Sequence, residues 1–265
     1  MSQAMTPQPV GRRFAVLHAK FETLLRLGDN CLVLSQQLGA WCGHGPALEE
    51  DMALTNVALD LLGQARLWLS YAGEVEGQGR DEDALAYRRD GFEFRNLLLV
   101  EQPNGHYGDT LVRQFLFDSW HQHLLAGLAR SSDARMAAIA DQAAREVRYH
   151  VERSSYLMVA LGDGTAHSHA RMQASLENLW PFTGEWFESD TVDAQAAQAG
   201  WAPAAGDLRG PWHATVDAVL ARATLARPAY AGHQRGGRQG LHSEHLGHLL
   251  TDLQFLQRAY PQAQW

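Results

Sequence analysis

Two cysteines in 265 residues, Cys31 and Cys42, leave no material for a disulfide framework or a cysteine-rich metal site. They stand in one apolar-periodic segment, where a straight helix would hold them on the order of 16 Å apart, beyond disulfide reach. Both are expected as reduced core residues. No apolar run reaches the roughly 18 to 20 residues that span a bilayer. The opening stretch, with Gln3, Pro7, Gln8, Pro9, Arg12 and Arg13, has no hydrophobic signal core. These absences point to a cytoplasmic protein without membrane contact, with residues 1–12 as a flexible tail. Basic residues are also short, 22 Lys and Arg against 30 Asp and Glu, for a net charge of -8. That balance opposes a nucleic-acid binder, which needs concentrated positive charge to neutralise phosphates. A small molecule or a protein is the expected partner. Period-two stretches, β-branched runs, a glycine-rich phosphate loop after a strand and a Gly-x-Ser-x-Gly elbow are all missing.

What the chain does contain is Ala, Leu, Gln, Glu and Arg with apolar residues every three or four positions, the period of an all-α protein. A first helix is expected from Phe14 to Trp41, with Leu24, Leu27, Cys31, Leu34, Leu38 and Trp41 on one stripe. Pro46 opens a second, carrying Glu49, Glu50 and Asp51 in its first turn, where the helix dipole favours carboxylates, and running to Glu76. The polar stretch from Gly77, a short helix near Ala84 to Arg89 and the turn Gln102-Pro103-Asn104-Gly105 make a long connection. A third helix, Asp109 to Arg130, is joined tightly to a fourth, Asp133 to Leu161. Two long helices, a crossover and two more define a ferritin-like four-helix bundle. Further helices are expected over Ala170 to Glu188, interrupted at Pro181, over Trp212 to Ala226 and over Ser243 to Ala259. No linker demands a second domain, so residues 1–265 read as one.

A bundle of this topology can hold two irons with one carboxylate from each of two helices and a Glu-x-x-His pair from each of the others. On the third helix Asp118 shares a core stripe with Leu111, Phe115, Gln122 and Leu125. On the fourth, His150 shares one with Ala143, Val147, Ser154 and Leu157. Val147 occupies the position where the motif requires a carboxylate, and Glu146 is turned about 100° away. Asp60 on the second helix has Gly63 where an i+3 histidine would stand. The first helix offers Gln36 and Gln37 near the matching depth and no glutamate. Three groups of six, Asp60, Asp118 and His150, are therefore in place, and Gln37, Gly63 and Val147 mark the gaps. The same three residues also suit a buried polar cluster, with an Asp–His ion pair. His121 and His123, two apart, cannot chelate together and are expected at the surface or an interface. His242, Glu244, His245 and His248 form a denser group; His245 and His248 have the i, i+3 spacing of a zinc pair without the four defined ligands of a closed site.

Three long, irregular blocks carry a resemblance: Leu27 to Gln36, Asn96 to Gly105 and Gly240 to Gly247, with the run Leu59 to Ala65. They resemble the structural C subunits of phenylacetyl-CoA epoxidases over Leu27 to Trp265, least well between Asp190 and Arg209. The resemblance implies a ferritin-like chain that has lost its iron ligands and holds no cofactor of its own. It also implies a catalytic A subunit as partner, carrying the di-iron site and inserting one oxygen atom into phenylacetyl-CoA, with a reductase subunit supplying electrons from NADPH. An independent di-iron or di-manganese oxidase using Asp60, Asp118, Glu146 and His150, or a helical assembly protein without such a partner, stays open. Finally, Arg235 and Arg238 lie among Gly232, Gly236, Gly237 and Gly240 in an otherwise acidic chain. Arginine on flexible backbone suits an anion, either the phosphates of coenzyme A or the acidic rim of a partner, and a solvated loop equally.

Overall fold

The structure, a computed structural model, describes residues 10–229 and 232–263. Helices α1 (Val10–Gly39) and α2 (Leu48–Glu76) pack along each other as one hairpin, and α4 (Tyr107–Leu128) and α5 (Ala134–Gly162) as the other. The crossover between them holds α3 (Glu82–Tyr87) and a 3-10 turn at Gly91–Glu93. Contact between α2 and α5 brings the hairpins together into the ferritin-like bundle. Beyond it, α6 (Ala166–Leu179) lies on α4 and α5, α7 (Thr191–Gln198) on α1, α8 (Arg209–Arg222) on α4 and α5, and α9 (Glu244–Ala259) on α1 and α3. No strand occurs among the described residues.

Local chemistry sets the helix ends. Glu49, Glu50 and Asp51 fill the first turn of α2, and the helix stops at Gly77, whose φ of 69° is easy only for glycine. Asp133 caps α5 by accepting from the N–H groups of Arg135 and Met136. The central stripe of α1, Leu24, Leu27, Cys31, Leu34 and Leu38, is buried as its periodicity demands, while Trp41 lies just past the helix and is half-buried.

Polar contacts pin the crossover and the C-terminal extension to the bundle. Arg89 pairs with Asp29 of α1 with both side chains out of solvent, and Asp29 also accepts the Arg95 N–H at 2.8 Å. The Arg89 guanidinium stacks 4.3 Å from the Phe94 ring. Lys20, the single lysine of the chain, pairs with Asp133 and sits 5.0 Å from the Tyr71 ring, tying the two hairpins at one end. Trp120, Trp180, Trp186, Phe187 and Trp212 form an aromatic cluster that seats the extension against α4. Within it Trp212 donates its indole N–H to the Leu116 carbonyl at 3.1 Å.

Several expectations need correction. Cys31 is buried, but Cys42 is exposed, because α1 ends at Gly39 and Cys42 falls in the following turn. Of the expected tail, residues 1–9 lie outside the described residues and Val10 already belongs to α1. The helix expected from Ala170 begins earlier, at Ala166, and Pro181 turns its far end into 3-10 geometry. Helix α7 was not anticipated, although Asp190 followed by Asp193 is the signature of its reciprocal cap.

Candidate functional site

Helices α2, α4 and α5 bring together Asp60, Asp118 and His150, three of the residues singled out from the sequence. Asp118 on α4 and His150 on α5 are fully buried, and Asp60 on α2 keeps 37% of its side chain exposed at the groove between α2 and α5. His150 Nε2 lies 3.0 Å from Asp60 Oδ2, while its Nδ1 stands 3.9 Å from Asp118 Oδ1, too far for a hydrogen bond. Asp118 is satisfied from elsewhere. Gln114 donates to its Oδ1 at 2.6 Å and Ser154 to its Oδ2 at 3.1 Å. Burial raises the Asp118 carboxyl to about 6 despite these donors and the nearby imidazole. One helical turn along α4, His121 is buried against Phe117 and Trp120, and burial lowers its pKa to about 3. The surface position expected for His121 is thus incorrect, because α4 is covered on successive faces by α5, α6, α8 and the aromatic cluster. His123, by contrast, is half-buried and meets Thr215 of α8 at 2.9 Å.

Three details differ from the spacing argument. Glu146 does not turn away: it accepts from Gln64 Nε2 at 2.8 Å across the α2–α5 groove. Gln64 in turn meets Cys31 Sγ at 3.8 Å, so Cys31, Gln64 and Glu146 form a second polar line beside the first. Burial, reinforced by the Glu146 charge, pushes the Cys31 thiol far up, so it stays protonated. Gly63 is exposed and lines the same groove with Asp60, whereas the inward residues of α2 are Val57, Leu61 and Gln64. A Cβ at Gly63 would meet nothing within 4 Å. Gln37 is not at the matching depth. Its amide donates to the Glu101 carbonyl at 3.2 Å, and the residue of α1 that faces the polar lines is Cys31, about 9 Å along the helix. Val147 is buried at the position where the spacing placed it.

The donor set does not fit a pair of irons. A di-iron site of this topology draws on four carboxylates and two histidines. Here the inward positions of α1 and α2 hold a thiol and an amide, and Val147 replaces a carboxylate. Among the described residues no three His, Cys, Asp or Glu side chains converge as metal ligands.

Residues 13–265 match the family described as phenylacetic acid catabolic protein. The chain is 51% identical over 241 residues to the C subunit of the 1,2-phenylacetyl-CoA epoxidase of Escherichia coli (strain K12), an alignment covering 91% of this chain and 97% of that protein. The chain belongs to the phenylacetic acid catabolic protein family.

In this member of the family the arginine loop is a clamp rather than flexible backbone. Arg238 donates to the carbonyls of Glu185 at 2.6 Å and Glu188 at 2.7 Å and pairs with Asp193 at 2.7 Å. Gly237 is there for close approach, since a Cβ would stand 2.2 Å from the Asn96 carbonyl oxygen. Gly236 and Gly240 have φ of 131° and 79°, a region that disfavours side chains. Of the two arginines, Arg235 is the one that faces solvent, its side chain 72% exposed with Glu188 3.9 Å away. The histidine group is divided as well. His242 lies between the buried Glu101 carboxylate at 2.9 Å and the Phe94 carbonyl at 3.0 Å, so both ring nitrogens serve the crossover. His245 and His248 line a separate cleft with Gln36, Gln37 and Asp252.

Proposed function

We propose that this chain is a structural, non-catalytic subunit of a phenylacetyl-CoA epoxidase, holding a di-iron catalytic subunit in place during aerobic phenylacetate degradation. The observation that carries the reading is the choice of residues at the bundle centre: Cys31, Gln64 and Val147 stand inward where a di-iron bundle would place further ligands, while Asp118 accepts from Gln114 and Ser154, His150 Nε2 meets Asp60 and Glu146 accepts from Gln64. Likeness to the C subunit of an epoxidase supplies the context of the complex.

The role is positional. A long bundle presents a rigid face, and α2 carries Leu48, Met52, Leu59 and Leu62 exposed along one stripe, with Tyr149 and Tyr156 exposed on α5. Exposed apolar residues at this spacing suit a helical partner, and an obligate interface of about 2,000 Å² or more would fix the catalytic chain in one geometry. Substrate, iron and the electrons that a reductase draws from NADPH then belong to the other subunits, in the cytoplasm.

The test is co-expression with the candidate catalytic subunit, followed by metal analysis of each chain and an epoxidation assay on phenylacetyl-CoA. Expected are well under one iron per copy of this chain, a stable complex, and activity that needs both chains. Near two irons in the isolated chain, with the optical bands of an oxo-bridged centre, would overturn the non-catalytic role. Full activity of the partner alone would overturn the scaffold.

A further inference from the structure

A second interior site lies away from the bundle centre, under α7. There α1, α4, the 202–208 segment and Trp186 enclose a cavity of about 70 Å³. Leu27, Leu97, Leu124, Leu128, Ala205 and Leu208 make its apolar wall. Four other lining residues carry N–H groups that are buried with no acceptor in reach: Nε of Arg26, Nε of Arg238, and the indole Nε1 of Trp120 and of Trp186. Each of these side chains is about nine-tenths buried or more. Four orphaned donors around one cavity are costly, on the order of 1 to 3 kcal/mol each when no acceptor is supplied. The acceptors already in the wall are engaged. Asp193 accepts from Arg26 at 2.9 Å and from Arg238 at 2.7 Å, and Asn30 Oδ1 takes the Leu97 N–H at 2.8 Å. Asp190, which does not line the cavity, holds the outer edge of Arg26.

We infer that this cavity binds a short-chain carboxylate of two or three carbons, its oxygens on the arginine and indole N–H groups and its methyl end on the leucines. A carboxylate offers about four lone-pair positions, matching four donors. Arg26 and Arg238 are already balanced by Asp193 and by Asp190 behind Arg26, so the carboxylate is held by the four N–H groups rather than by a net positive charge. The size suits a small acid, since the cavity is about half of the roughly 150 Å³ that admits a benzene ring. The same space holds about five to seven waters at roughly 10 to 15 Å³ each, so water is the competing occupant. This site is independent of the polar lines between α2 and α5 and does not rest on the epoxidase reading.

The experiment uses the ¹⁵N-labelled full chain and follows the indole N–H signals of its eight tryptophans during titration with sodium acetate, sodium propionate and neutral acetamide at constant ionic strength. Trp120→Phe and Trp186→Phe assign the two signals of interest. Saturable shifts confined to Trp120 and Trp186, with acetate or propionate binding tighter than acetamide, are the expected result. Trp186→Phe, followed by the Trp120 signal, weakens binding about ten-fold, and the cavity-filling Ala205→Leu removes it. Equal response to acetamide overturns the carboxylate assignment. Absence of any saturable shift at these two signals leaves water alone in the cavity and overturns the site.

Discussion

His150 on α5 and Asp60 on α2 meet at 3.0 Å, a bridge between the two hairpins with the histidine end fully buried and the aspartate end open to the groove. The bridge engages Nε2 of His150, its Nδ1 faces the buried Asp118 at 3.9 Å, and Asp118 accepts from the neutral donors Gln114 and Ser154. Asp118 and, one turn along α4, His121 are buried groups whose charged forms are disfavoured, and their signature is pH-dependent stability.

Asp118→Asn tests one of these groups. Burial raises the Asp118 carboxyl from 3.8 to about 6, so the folded state takes up a proton more readily than the unfolded one. Its contribution to stability is full below about 4 and is lost as pH rises through about 6. The asparagine variant, compared with the wild type by urea denaturation, gains in relative stability over that interval by on the order of 2 kcal/mol and then stays level. A difference that does not change with pH contradicts this placement.

His121→Phe has the opposite sign. Burial lowers the His121 pKa from 6.5 to about 3, so the neutral ring is favoured by folding. Its contribution is complete above about 6.5 and is lost as pH falls toward about 3. Phenylalanine suits the neighbours Phe117 and Trp120, and the variant is expected to resist acid better than the wild type between those limits while differing little at pH 7. Thermal melts across that range provide the measurement.

Asp29→Ala strands the Arg89 guanidinium, which is 1% exposed, and frees the Arg95 N–H. Loss of one partner of a buried pair costs about 3 to 5 kcal/mol, whereas Asp29→Leu combined with Arg89→Met recovers much of the loss. Chemical denaturation of the two single variants and the double variant gives the coupling, and strict additivity would refute it.

Arg235 and Arg238 separate a surface charge from a clamp. Arg238→Ala releases two carbonyls and Asp193 and is expected to cost about 2 kcal/mol or more. Arg235→Ala, at a side chain 72% exposed, changes folding stability by about 0.5 kcal/mol at most. Arg235→Glu in the assembled complex then reads contact with coenzyme A as a raised KM and contact with a partner as failed assembly; no change in either leaves a solvated residue.

Long-range order along the chain was legible because it rests on short-range rules. The 3.6-residue apolar period located all four bundle helices, and the long stretch before the turn at Gln102-Pro103 marked the crossover. The same period put Asp118, Val147 and His150 on buried faces, where they lie. It failed at α2, where two stripes a single residue apart compete: Asp60 and Gly63 were read as inward, but Val57, Leu61 and Gln64 are. Helix α7 was missed because eight residues give too little periodicity, and only its Asp190–Asp193 cap announced it.

The sequence by itself determined the four bundle helices and their order, since each depends on residue type and on spacing within one helix. Tertiary structure decided what required the relative rotation of helices or contact between distant segments. Glu146 turned out to face Gln64, a contact between α5 and α2 that no spacing within either helix encodes. Arg238 and its glycines became a clamp because Asn96, Glu185 and Asp193, remote in sequence, meet that loop in space. The donor-lined cavity under α7 likewise exists only where residues from α1, α4 and the C-terminal extension converge, so no local pattern could have announced it.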